Sequence, residues 1–232
     1  MMIITCASSK GGVGKSTTVA CLAGAFAHAG DIVHIVDLDN NRTVSRWFRD
    51  DKSRPASISV STPDPQDLTS HLQAVAAAKA PDIVLIDVAG SYERALTVAA
   101  ARAHLTIIPA TLTEADIFEA AKTAHHIQQI FSSFGREPLF RLLLTQVQPL
   151  SSHAQKHAAR ELKRFRLPLF ESALGLRAAY EEIGLSGQPP HFADLNRPTV
   201  AKALDELNAL HREITALTGT HETLPAQATG AA

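Results

Sequence analysis

Cysteine is scarce in this chain. There are two, Cys6 and Cys21, and neither belongs to a C-x-x-C pair. A zinc or iron–sulfur centre built on thiolates is therefore not expected, and the usage fits a reduced compartment. Long apolar runs are missing too: nothing approaches the ~18 consecutive apolar residues of an ordinary membrane helix. The opening MMIITCASSKGG has neither a basic start nor an extended apolar stretch, so no secretory signal is expected. No sign of charge dominates, because 22 Lys and Arg stand against 23 Asp and Glu, for a net charge of -1. A nucleic-acid site would have to be a local patch, since no global basic field exists. What remains is a soluble, cytoplasmic protein with no membrane partner. Its 232 residues are 45% hydrophobic, enough to build a full core.

Short apolar runs alternate with helical patterns along most of the chain. Residues 3–7, 32–39 (IVHIVDLD), 81–90 (PDIVLIDVAG), 104–110 (HLTIIPA) and 139–147 (LFRLLLTQV) read as strands, and 168–170 adds a short one. Residues 15–29, 66–79, 91–103, 114–134, 152–165 and 199–217 read as helices, the first stopped by Gly30. Near-continuous apolar strands separated by helices predict a mostly parallel sheet with helices on both faces. Right-handed crossovers make this a doubly wound α/β fold, with ligands at the carboxyl ends of the strands. Residues 1–219 are expected to form a single domain, and 220–232 (THETLPAQATGAA) a frayed tail.

The stretch SSKGGVGKST, residues 8–17, follows a strand and opens a helix, which is the context of a phosphate-binding loop. Gly11, Gly12 and Gly14, with Val13 between them, let the backbone approach an anion and turn its N–H groups inward. The new helix adds its positive end. Lys15 is placed to reach the β- and γ-phosphates, and Ser16, followed by Thr17, to offer a hydroxyl to Mg²⁺. Ser9 stands where the usual pattern begins with glycine. Asp87 ends an apolar strand and is the natural Mg²⁺ holder. The run from Asp87 to Gly90 spells D-x-x-G, which puts the Gly90 N–H where a γ-phosphate can be sensed. Asp37 and Asp39 fall two apart at the end of the second strand and share a face while the strand lasts. Asp39, further out, is expected to orient or activate water beside the metal, and Asp37 to cap or brace the loop. The implied ligands are ATP and Mg²⁺.

A second lysine, Lys10, stands five positions ahead of Lys15. With it, KGGVGKST resembles the deviant Walker A motif of the ParA/MinD ATPases, a likeness that spans about residues 2–218 in element order. The resemblance implies that Lys10 is the signature lysine, which reaches the phosphates bound by the other subunit of an ATP-dependent dimer. Lys10, Lys15 and Asp39 then form the catalytic set, with Ser16, Asp39 and Asp87 at the metal. VDLDNN looks like the family's D-x-D segment and VLIDVAG like its Walker B strand. Thr145 occupies a strand end where many relatives carry an asparagine near adenine. The chain departs from the partition ATPases at Asn40-Asn41, where Pro-Gln is usual, and at Val88-Ala89-Gly90, where x-Pro-Pro is usual. DNNRTVSRW (39–47) looks closer to small ParA-like proteins of plasmids and of conjugative DNA transfer. The N-terminus is too short for the helix-turn-helix of larger plasmid relatives, and the C-terminus lacks the basic amphipathic helix of the septum-site ATPases.

The family likeness therefore implies a slow, partner-stimulated ATP hydrolase in plasmid or chromosome partition. Its partners would be a second copy, DNA of any sequence and a centromere-binding ParB-like adaptor, with nucleoid association in the ATP state. An accessory ATPase of conjugative DNA transfer, or a nucleotide-switched scaffold with little turnover, are the alternatives. For DNA, the sequence offers SHAQKHAARELKRFR (152–166), where Lys156, Arg160, Lys163 and Arg164 share a helix face through steps of three and four. Such a stripe tracks phosphates without reading bases. The run 41–54 is also basic, but Trp47 and Phe48 point to packing there.

Overall fold

The computed structural model describes residues 1–50, 53–90, 93–133, 135–148, 153–194 and 196–219. Along the chain these form β1 (Met2–Cys6), α1 (Lys15–Ala29), β2 (Val33–Asp37), α2 (Thr43–Trp47), β3 (Ile58–Ser61), α3 (Leu68–Lys79), β4 (Ile83–Asp87) and α4 (Glu93–Arg102). Then follow β5 (Leu105–Ala110), α5 (Glu114–Ser132), β6 (Phe140–Val147), α6 (His153–Phe165), β7 (Leu169–Gly175), α7 (Ala178–Glu181), α8 (Ile183–Ser186) and α9 (Pro198–Gly219). The strands make a seven-stranded sheet in the order β3-β2-β4-β1-β5-β6-β7, and every pairing is parallel. The expected tail, 220–232, lies outside the described residues.

Alternation along the strands sorts their side chains onto two faces. Ile4, Ile35, Leu85 and Ile107 point into a core closed by α1 and α9, whereas Ile3, Val36, Val84 and Ile86 meet α3 and α4 on the other side. Beyond β5, Ile108, Ala110 and Leu142 pack with α5 and α6. Helix α1 can sit directly on the sheet because it is alanine-rich and buried along most of its length. It ends where Gly30 takes a left-handed conformation (φ 104°).

Three elements differ from the sequence expectation. β2 stops at Asp37, so Asp39 lies in the following loop and the two aspartates do not continue one strand face. β7 runs to Gly175, well past the expected 168–170, because its burial comes from pairing with β6 and packing by α9 rather than from an apolar run. β3, a four-residue edge strand of Ile and Val alternating with serines, carries too little apolar signal to stand out.

β1 lies at the centre, and the chain leaves it toward β4 and β2 on one side and toward β5, β6 and β7 on the other. The crevice at such a reversal lies beyond the carboxyl end of β1. Cys6, Asp37 and Asp87 stand at one level there, since Cys6 pairs in register with Asp87 and Asp37 with Asp87.

Candidate functional site

Beyond β1 the chain turns through the glycine loop into α1. Gly12 (φ 80°) and Gly14 (φ 86°) hold left-handed conformations that a Cβ would strain. Four of the loop's carbonyls are taken up by protein donors. Lys15 Nζ donates to the Lys10 carbonyl at 2.7 Å, and Gln146 Nε2 to that of Gly12 at 2.8 Å. Thr145 Oγ1 donates to Val13 O and Thr18 Oγ1 to Gly14 O, each at 2.8 Å. With the carbonyls committed, the N–H groups of the loop and of the first turn of α1 are what it can offer a ligand, which suits an anion. Lys15 is 7% exposed, so its ammonium is pinned over the loop rather than free in water.

Two of the predicted metal-side residues meet. Ser16 Oγ donates to Asp87 Oδ2 at 2.6 Å. Asp87 is fully buried, and its Oδ1 has no hydrogen-bond partner among the described residues. Burial pushes the Asp87 carboxyl up to about 7; the Ser16 bond pulls against this, Asp37 adds to it, and Lys15 opposes it. A buried carboxylate with one oxygen committed and one orphaned beside a serine hydroxyl is a hard-oxygen donor set, and it suits Mg²⁺. Asp37 instead acts as a brace: its Oδ1 accepts the Asp39 N–H at 3.0 Å, and its Oδ2 accepts the Ser45 N–H and hydroxyl at 2.9 and 2.8 Å. Asp39 is half-exposed, and its own Oδ1 accepts the Asn41 N–H at 2.9 Å.

Lys10 is held within its own chain. Its Nζ lies 2.7 Å from Asp116 Oδ1 at the start of α5, and Thr111 Oγ1 donates to the other carboxylate oxygen. Burial raises the Asp116 carboxyl, but the Lys10 and Thr111 hydrogen bonds outweigh it and leave the group below the ordinary carboxylate range. Gly90 packs on the front of the loop, where a Cβ would fall 2.7 Å from the Ser9 carbonyl oxygen. Only glycine lets the two segments touch.

A cavity of about 320 Å³ opens beside the loop, lined by Gly14, Thr17, Trp47, Thr145, Leu176 and Arg177 among others. Thr145 lines this cavity. Its hydroxyl proton is committed to the Val13 and Ala110 carbonyls. Sequence reading missed the β7–α7 wall, Leu174 to Glu181, because nothing in those residue types signals a ligand; only the extension of β7 brings them there. Trp47 had been read as packing, and it does pack, but it also faces this cavity.

The proposed DNA stripe lies on α6. Arg160, Lys163 and Arg164 are exposed while Ala158 and Leu162 are buried against the core, and the Lys156 side chain lies outside those described. Arg164 pairs with Glu161 at 3.0 Å on the surface.

The family model for the VirC1 protein matches residues 1–207. Among curated relatives, Protein ParA of Rhizobium radiobacter is 27% identical over 214 residues, covering 90% of this chain and 94% of that protein. Protein virC1 of Rhizobium radiobacter is 32% identical over 142 residues, 57% of this chain and 59% of its own length. Among solved structures, the septum site-determining protein MinD of Pyrococcus horikoshii, complexed with Mg-ADP, superposes with a TM-score of 0.68 at 18% identity, covering 96% of this chain and 99% of that one. Among the described residues, no helix is long and apolar enough to cross a membrane.

Proposed function

The chain belongs to the VirC1 family, with ParA- and MinD-type ATPases among its relatives, and from that premise we propose that it is a Mg²⁺-dependent ATP hydrolase of the ParA type. It forms a dimer around ATP, binds DNA without reading sequence, and drives plasmid or chromosome partition with a centromere-binding, ParB-like adaptor that stimulates slow turnover. The observation that carries this reading is the convergence of Lys15, Ser16 and Asp87 beside a glycine loop, with one buried carboxylate oxygen left over.

The loop N–H groups bind the phosphates, and Lys15 exchanges the Lys10 carbonyl for a β- or γ-oxygen. Ser16, Asp87 and Asp39 would hold Mg²⁺, which would supply charge neutralisation for phosphoryl transfer. Asp39, fixed at its N–H by Asp37, orients the attacking water, and Gly90, packed on the same loop, offers its N–H as a γ-phosphate sensor. Lys10 leaves Asp116 and reaches the partner's phosphates, where a cation stabilises the charge of the transferring group. Two copies of the α6 stripe then add their phosphate contacts on DNA.

Sizing the protein with ATP, with ADP and without nucleotide, each with and without a duplex of arbitrary sequence, tests the reading. A dimer should appear with ATP alone, and DNA should join it. A protein that stays monomeric in ATP and releases no phosphate would overturn it. Binding confined to one sequence would favour an accessory role in conjugative DNA transfer, the direction in which DNNRTVSRW also points.

A further inference from the structure

The cavity beside the loop is continuous with the phosphate site through Gly14, Thr17 and Thr18, so on the ATP-site reading above it is where a nucleoside would lie. Part of its polar equipment is spent, although Arg177 Nε in the lining is buried without a partner among the described residues. Thr145 gives its hydroxyl to Val13 and Ala110, Gln146 gives its amide to Gly12, and Tyr180, buried, gives its hydroxyl to Glu206 at 2.7 Å. Of the two aromatic rings in the lining, Tyr180 is buried and Trp47 is partly exposed. A flat heteroaromatic base entering here meets an indole.

Trp47 is also the last residue of α2, and α2 is tied to the catalytic loop. Ser45, two residues before it, binds Asp37 Oδ2 through both N–H and hydroxyl, and Asp37 Oδ1 holds the Asp39 N–H. The indole also abuts α8, where a Cβ on Gly184 would stand 3.0 Å from Trp47 Nε1. The ring thus touches both α8 and the cavity. A base stacked on it bears on the last residue of α2, the helix whose Ser45 holds Asp37.

We propose that Trp47 is the base-stacking residue of the nucleotide site and a positioning residue for Asp39, so that the Asp37–Asp39 loop reaches its working arrangement only when a base is in place. The ligand class is a purine nucleoside di- or triphosphate, stacked at the base on the indole.

Trp47 is the single tryptophan of the chain, so intrinsic emission reads this site alone. On the full chain, ADP should change that emission, whereas inorganic pyrophosphate, which fills the loop without a base, should leave it unchanged. Calorimetry of Trp47→Leu, which keeps an apolar side chain but no ring, should give ADP affinity about tenfold weaker with pyrophosphate affinity unaltered. In steady-state hydrolysis Trp47→Leu should lower kcat as well as raise KM, and Trp47→Phe should restore much of both. Emission indifferent to ADP, or Trp47→Leu binding ADP as tightly as the parent, would overturn the stacking role. A raised KM with unchanged kcat would overturn the link to Asp39. A parent that binds neither ADP nor pyrophosphate would remove the nucleotide-site reading itself, and this inference with it.

Discussion

Two lysines five positions apart do different work because their surroundings differ. Lys15 is buried over its own loop, so Lys15→Ala should remove most nucleotide binding in calorimetry. Lys10 sits on Asp116, away from its own loop's interior, so Lys10→Ala should retain ADP binding and lose ATP-dependent dimerisation and hydrolysis. Equal loss of binding in both would end that division of labour. Asp87 carries a second residue-scale expectation. Its carboxyl ionises near 7 in the folded chain and near the ordinary 3.8 once unfolded. Between those values the folded state holds the extra proton, so this group makes stability fall as pH rises through the window, with the full cost present above it. Asp87→Asn, without nucleotide or Mg²⁺, should therefore melt above the parent at pH 8, and the gap should narrow as pH falls from 7 toward 4. A magnesium titration of ATP binding should show the same variant weakened. A pH-independent gap in melting would mean that the buried charge is not the cause.

At the scale of elements, α6 is built to show one face. Ala158 and Leu162 anchor it on the core next to α5, leaving Arg160, Lys163 and Arg164 in water. The Arg164–Glu161 pair on that surface is worth only ~0–1 kcal/mol and does not neutralise the stripe. Replacing Lys156, Arg160, Lys163 and Arg164 together by glutamate should abolish binding of a duplex of arbitrary sequence while ATP still drives dimerisation, as anisotropy and sizing would record. Parent affinity should fall steeply with salt, since the contacts are to phosphate. An unaltered affinity in the quadruple variant would move the DNA surface elsewhere, and 41–54, with Arg42, Arg46 and Arg49 exposed, is the next segment to test.

The whole molecule is organised by one sheet that its three hydrophobic clusters share, and we propose that residues 1–219 unfold as one unit. Phe26 lies in the α1–α9 core, a different cluster from the one on the α5–α6 side. Phe26→Ala should cost about 3–5 kcal/mol and lower a single calorimetric transition without splitting it. Two resolved transitions would refute the one-domain expectation.

How much of this was legible beforehand follows from which interactions carry it. Strands buried on both faces must be apolar along their whole length, so β1, β2, β4 and β5, the parallel architecture, and the loop after β1 could all be read from residue types alone. The phosphate loop is equally local, since Gly11 to Ser16 carry their conformations and donors with them. Other features depend on partners distant in sequence, and only the tertiary structure decided them. β2 ends at Asp37, whose carboxylate is claimed by Ser45 from the next helix. It extends β7 because β6 and α9 cover it, and in doing so builds a cavity wall from residues with no signature of their own. Lys10 lies on Asp116, more than a hundred residues away, and Thr145 turns its hydroxyl onto Val13 across a comparable distance. Composition and periodicity specify which groups must be buried. Which buried group meets which other is settled by the packing of the sheet, and the chemistry of the site depends on those meetings.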